Sequence, residues 1–239
     1  MWFNIAIMDI LSFICYKNSQ KKGDKMRIPN HIGVIPDGNR RWSIDNGLSK
    51  DKGYTFGLDP GLSLYKICKD LGVKEITYYG FTTDNTKRPP LQREAFVKAC
   101  VDAVKILSSQ DADLLVVGNS DSPMFPKELL PYTTRRTFGK GGIKLNFLVN
   151  YGWEWDLSNL DKNKSSKRSN IFNCIKTNDI SRVDLIIRWG GRRRLSGFLP
   201  LQSIYSDFYV IDDFWPDFKP EHLSMALDWY NIQDVTLGG

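Results

Sequence analysis

The sequence predicts an α/β fold: a single domain with a central, mostly parallel six-stranded sheet flanked by helices. Three observations carry this. Apolar runs at residues 31–35, 75–81, 113–117, 143–149, 183–187 and 205–211 alternate with longer stretches, several of helical spacing, a pattern that implies a parallel sheet covered on both faces. The runs open into polar loops at Asp37, Thr82, Asn119, Asn150 and Arg188, and ligands of such sheets bind outside the carboxyl ends of the strands. A chain of 239 residues is long enough to bury one full core and ordinary for one such domain.

From the N-terminus, residues 1–16 are apolar apart from Asn4 and Asp9, too short to span a bilayer and without the basic start of a secretion signal. A polar, mainly basic linker follows at 17–25. Two explanations stay open: an interfacial helix with a basic patch on a membrane surface, or an upstream extension to a physiological chain that begins at Met26. The second is preferred, because Met26-Arg-Ile-Pro-Asn leads straight into the first strand; the domain then covers residues 26–239. Residues 40–70 read as helical around a glycine-broken loop at 47–61, with Leu62, Tyr65, Ile67, Cys68 and Leu71 on the apolar face. An amphipathic helix spans 93–107, another follows Pro126, and 161–170 has the composition of a solvated loop.

The net charge of +6 favours anionic partners without choosing among nucleic acid, membrane surface and phosphorylated metabolites. Four scattered cysteines with no C-x-x-C pair, and only two histidines, argue against a zinc site and a disulfide framework, and for reduced thiols in a cytoplasmic protein.

The chemistry concentrates at residues 31–42, HIGVIPDGNRRW. Gly38 lets the backbone approach an anion, the helix start presents unpaired N–H groups, and Arg40 and Arg41 supply bidentate donors. Asp37 would repel a phosphate unless a divalent cation lay between them, which points to Mg²⁺ held jointly by protein and substrate. Taken alone, the Asp-Gly-Asn triplet is better read as a strand-to-helix turn with Asp37 as helix N-cap. The ensemble decides for an anion site. Arg40, Arg41, Arg88, Arg188, Arg192, Arg193 and Arg194 fall at successive strand ends and would repel one another on one rim without an anionic ligand.

The ordered blocks HIGVIPDGNRRW, FTTDNTKRP, Asn150-Tyr151-Gly152, VDLIIRWGG-x-x-R-x-S and WPDF resemble those of the cis-prenyltransferases, the undecaprenyl diphosphate synthase superfamily, from about His31 to the C-terminus. The resemblance implies a homodimer with a hydrophobic tunnel, and the joining of an allylic diphosphate to isopentenyl diphosphate with Mg²⁺. It implies that Asp37 coordinates the metal and assists departure of the allylic diphosphate, which Gly38, Asn39, Arg40 and Arg41 bind with Trp42 beside them. Lys50 stands where the family has an arginine. Thr82 and Asn85 fall on a polar pair tied to proton removal, with Thr83 and Asp84 completing that substrate-binding segment and Arg88 following it. Arg188, Arg194 and Ser196 match the site for the second diphosphate, and Asp207 an acidic residue that helps hold Mg²⁺.

Pro36 replaces the family's methionine, Tyr54, still counted among the substrate-binding residues, a histidine, Thr86 an aromatic residue and Arg192 a glutamate, and residues 233–239 replace an arginine-rich tail. Without histidine at position 54 a proton relay and phosphate donor is lost, and Arg192 alters how the second substrate is oriented. Proline before the acid is similar to the branch that makes irregular, lavandulyl-type diphosphates. The expectation is therefore a Mg²⁺-dependent short-chain or irregular prenyl diphosphate synthase with no nucleic-acid partner. Alternatives are ordinary cis-polyprenyl elongation, a terpene-synthase-like cyclisation using Tyr151, Trp153, Trp155, Trp189 and Phe198 around the cation, and a catalytically silent partner subunit, against which the retained Asp37 argues.

Overall fold

The computed structural model describes residues 26–160 and 168–234. The expected N-terminal extension or interfacial helix at 1–25, residues 161–167 of the polar loop and the end of the tail at 235–239 lie outside the described residues.

Seven strands form one sheet: β1 (His31–Ile35), β2 (Glu75–Tyr79), β3 (Ala112–Val117), β4 (Arg136–Phe138), β5 (Lys144–Leu148), β6 (Leu185–Arg188) and β7 (Asp207–Val210). Their order is β4-β3-β5-β2-β1-β6-β7, and every neighbouring pair is parallel except β3–β4. The six apolar runs become the six parallel strands. The seventh, β4, is an addition to the expected sheet. It is three residues long and none is buried, so no apolar run marks it; pairing with β3 and a bond from Thr137 Oγ1 to Asp113 (2.6 Å) hold it.

Within β1, Ile32 and Val34 join one core and Ile35 the other; in β6, Leu185 and Ile187 oppose Ile186. Successive side chains of a strand point to opposite faces, so the continuous apolar runs reflect burial on both. The helices are α1 (Asn39–Asp45), α2 (Leu58–Asp70), α3 (Pro90–Leu107), α4 (Trp153–Asp156), α5 (Arg168–Cys174) and α6 (Pro220–Asn231). The larger core lies under α2, α3 and α6, the smaller under Tyr151, Phe198 and Leu199. Each fully buried Leu or Ile there contributes about 1.5–3 kcal/mol.

The predicted helix 40–70 divides into α1, a 3₁₀ turn at Lys52–Gly57, and α2. The helix expected after Pro126 is a 3₁₀ turn, Lys127–Tyr132, which contains Pro131. Residues 168–170, read as loop, begin α5. The α6 helix was not expected, although Leu223, Ala226, Leu227 and Tyr230 give it a buried stripe and Pro220 its first turn. Among the described residues no helix is long and apolar enough to cross a membrane.

The chain leaves β1 towards β2 and leaves the adjacent β6 towards β7, so these neighbours diverge in opposite directions. That divergence opens the crevice in which doubly wound sheets bind ligands. Ile35 pairs with Arg188, which brings Asp37, two residues beyond β1, to the end of β6.

Candidate active site

Gly38, not Asp37, is the N-cap of α1. Its φ of 104° and the 2.6 Å between an added Cβ and the Phe214 ring admit only glycine. Asp37 therefore stands outside the helix and faces the crevice. Its Oδ1 accepts the Gly38 N–H at 2.6 Å and lies 3.5 Å from Arg41 Nη2; its Oδ2 accepts Arg188 Nη2 at 2.8 Å. Burial pushes the Asp37 carboxyl up, but the Arg188 bond and charge, the Gly38 amide and Arg41 outweigh it and hold the group below the usual carboxylate range.

Arg188 is buried. Besides Asp37 it bonds the Ser196 hydroxyl (3.0 Å) and the Arg194 carbonyl, tying the loop after β6 to the loop after β1. Arg41 adds a second tie, donating to the Gly190 carbonyl at 2.8 Å with its guanidinium 5.0 Å from the Phe214 ring. Arg40, Arg41, Lys50, Arg88, Arg192 and Arg194 line a polar cavity of about 480 Å³, with Asp37 and Asp45 as its carboxylates. Six cations around two carboxylates, one of them already ion-paired, make a strongly anion-seeking surface.

An apolar slot of about 80 Å³ opens beside this cavity and shares Pro36, Asn39, Tyr54 and Phe96 with it. Leu58, Gly61 and Leu62 of α2 and Ala99, Ala103 and Ile106 of α3 form its walls. Ile106 lies ten residues beyond Phe96 along α3, or about 15 Å at the helical rise, and with Leu107, Tyr78 and Phe147 marks the far end. A cation-lined compartment and an apolar one thus adjoin beside Asp37.

Not every expected residue arrives there. Asp207 pairs in register with Leu185, three strand steps or about 10 Å short of Arg188, and its carboxylate is 3.9 Å from Arg27. It stands at the opposite end of the sheet and is no partner for Asp37 within this chain. Trp42 turns away to pack, tilted by 43°, against Phe56 (4.6 Å between ring centroids) and to donate to Asp217 (2.7 Å). Asn85 accepts the Thr82 amide (3.1 Å), Thr83 donates its amide to Tyr151, and Asp84 pairs with Lys87 at 2.8 Å; these residues shape the turn that delivers Arg88. Arg193 leaves the rim for Asp212 at 3.7 Å. Tyr151, Trp189 and Phe198 are core residues, and neither they nor Trp153 and Trp155 line either cavity. The aromatic residues that do are Tyr54, Tyr78, Phe96, Phe147 and Trp215. Phe96 and Asp45 carry no motif, and only the placement of their helices brings them in. Among the described residues no three His, Cys, Asp or Glu side chains gather to hold a metal by themselves.

Residues 35–238 match the family model described as putative undecaprenyl diphosphate synthase. An isoprenyl transferase of Clostridium perfringens is 34% identical, covering 90% of this chain and 91% of its own length. A ditrans,polycis-undecaprenyl-diphosphate synthase of Buchnera aphidicola, specific for (2E,6E)-farnesyl diphosphate, is 30% identical over 94% and 98%. The same fold recurs in lavandulyl diphosphate synthase from Lavandula x intermedia, solved with dimethylallyl diphosphate, with a TM-score of 0.77 and 22% identity over 88% of this chain and 98% of that one. With the matching model spanning nearly the whole sheet, the chain belongs to the cis-prenyltransferase, or undecaprenyl diphosphate synthase, family of prenyl-transferring enzymes.

Proposed function

We propose that this chain is a Mg²⁺-dependent synthase that ionises a short allylic diphosphate and couples it to a second prenyl diphosphate, giving a short-chain or irregular product of the lavandulyl type. The carrying observation is the junction at Asp37 of a six-cation cavity with a narrow apolar slot. Arg40, Arg41, Lys50 and Arg88 bind the allylic diphosphate, while its tail enters the slot between α2 and α3. Arg192, Arg194 and Ser196 take the second diphosphate. The C1–O bond of the allylic substrate breaks with its electron pair leaving on the diphosphate, the double bond of the second substrate attacks C1, and the proton then lost to restore an alkene passes to the departed diphosphate.

The residues present fit magnesium, which is bound typically by one or two carboxylates together with substrate phosphate oxygens. Asp37 is held ionised, and its two oxygens offer about four acceptor sites, of which Gly38 and Arg188 take two by hydrogen bonds. The ion, when bound, supplies neutralisation of the leaving diphosphate. Asp37 orients that charge, Arg188 fixes Asp37, and the apolar wall formed by Pro36, Tyr54 and Phe96 keeps water from the cationic carbon.

The Buchnera relative, named for an undecaprenyl product, favours a second reading, repeated elongation with isopentenyl diphosphate. Purified protein with Mg²⁺ and dimethylallyl, geranyl or farnesyl diphosphate, each with and without isopentenyl diphosphate, separates the two. Products from dimethylallyl diphosphate alone support the proposal. Long products formed only with isopentenyl diphosphate would sink it.

A further inference from the structure

Tyr54 lines both compartments at their seam, with Phe96 beside it. The two rings are parallel within 5°, their centroids 4.5 Å apart, and Tyr54 is only 5% exposed, so its hydroxyl has one fixed place. Arg88 lies 5.1 Å from the Phe96 centroid and its Nη1 donates to the Tyr54 hydroxyl at 2.7 Å. An arginine cannot accept, so the hydroxyl oxygen is the acceptor and its own hydrogen remains to be given. Burial, against the pull of Arg88, raises the phenol above its usual pKa, which keeps that hydrogen in place at neutral pH. A hydroxyl that already accepts a bond from a cation is polarised into a better donor.

We propose that Tyr54 gives this hydrogen bond to the anionic head group where head and tail meet, with Arg88 polarising the hydroxyl and Phe96 fixing the ring. The inference rests on the diphosphate reading of the polar cavity. It also amends an expectation from sequence, that replacing histidine at this position leaves the site short of a phosphate donor.

The test is calorimetric titration of the full chain with inorganic diphosphate and Mg²⁺, accompanied by kinetics on dimethylallyl diphosphate. Tyr54→Phe keeps the ring and the stack but removes the donor. It is expected to weaken inorganic diphosphate binding about tenfold or more and to lower kcat/KM similarly, with Tm little changed. Phe96→Leu, which loosens the ring but keeps the hydroxyl, should lose clearly less diphosphate affinity. Equal affinity in Tyr54→Phe and the unaltered chain would overturn the inference while leaving the diphosphate site standing. Equal losses in Tyr54→Phe and Phe96→Leu would assign the effect to ring packing and also overturn it. If the unaltered chain neither binds inorganic diphosphate nor turns over any allylic diphosphate, both this inference and the proposed function fail.

Discussion

Arg188 does more in this site than carry a charge. Its guanidinium joins the Asp37 carboxylate, the Ser196 hydroxyl and the Arg194 carbonyl while buried at the end of β6. A lysine keeps the charge but not the fork. Arg188→Lys should therefore lower kcat/KM about a hundredfold and reduce stability by about 2 kcal/mol, read from kinetics and urea midpoints; wild-type values in both would refute the joint. Asp37→Asn leaves Arg188 buried opposite a neutral amide and should reduce kcat about 10³-fold with the fold retained, which circular dichroism and turnover check together. The Asp37 pKa is depressed in the folded state, so its stabilising contribution is present above the ordinary carboxylate range and is lost as pH falls through the lower folded value. Most of the arginine cluster was legible because guanidinium groups at strand ends fall on one rim; Arg193, turned to Asp212 by its loop, is the exception. The placement of Asp207 was not: motif order does not tell which end of a four-residue strand a side chain occupies, and it starts β7.

At the scale of elements, α2 and α3 act as the two jaws of the slot. Small residues, Gly61 on one and Ala99 and Ala103 on the other, leave the space between them unfilled. Ala103→Leu adds three carbons to the wall and should depress kcat/KM for farnesyl diphosphate more than for dimethylallyl diphosphate; an equal effect on both would show that the tail does not lie there. The sequence shows these helices through their apolar spacing, yet the cavity between them depends on side-chain volumes facing each other across a gap, which periodicity does not encode. Strands of continuous apolar character were legible for the same reason that they are buried on both faces. The β4 strand, polar and short, carries no such mark. The α6 helix had a readable stripe and a proline start, signals as good as those of α3.

For the molecule as a whole, the two histidines couple folding to acidity although neither lines the polar cavity or the slot. His222 Nδ1 accepts the Trp189 indole N–H and the Lys219 amide, both at 3.2 Å, leaving Nε2–H to donate to Asp213 at 2.9 Å. His31 Nδ1 donates to the carbonyls of Ser181 and Arg182, so Nε2 accepts the Thr77 hydroxyl at 2.8 Å. Both rings are thus neutral tautomers, and burial lowers both pKa values more than Glu75 beside His31 and Asp213 beside His222 raise them. With the folded pKa below the unfolded value of about 6.5, the unfolded chain binds more protons, and stability is full above that pH and falls below it. The urea midpoint should drop between pH 7 and pH 5.5, and His222→Gln should remove part of the slope; a midpoint constant over that range would contradict the neutral tautomers.

Asp37, Arg188 and the slot bear on one measurement above the others: release of inorganic diphosphate and analysis of the prenyl product when dimethylallyl diphosphate and Mg²⁺ are the only substrates. The expected result is diphosphate release with a coupled ten-carbon product, cut about 10³-fold in Asp37→Asn. No release until isopentenyl diphosphate is added, followed by long linear chains, would contradict it.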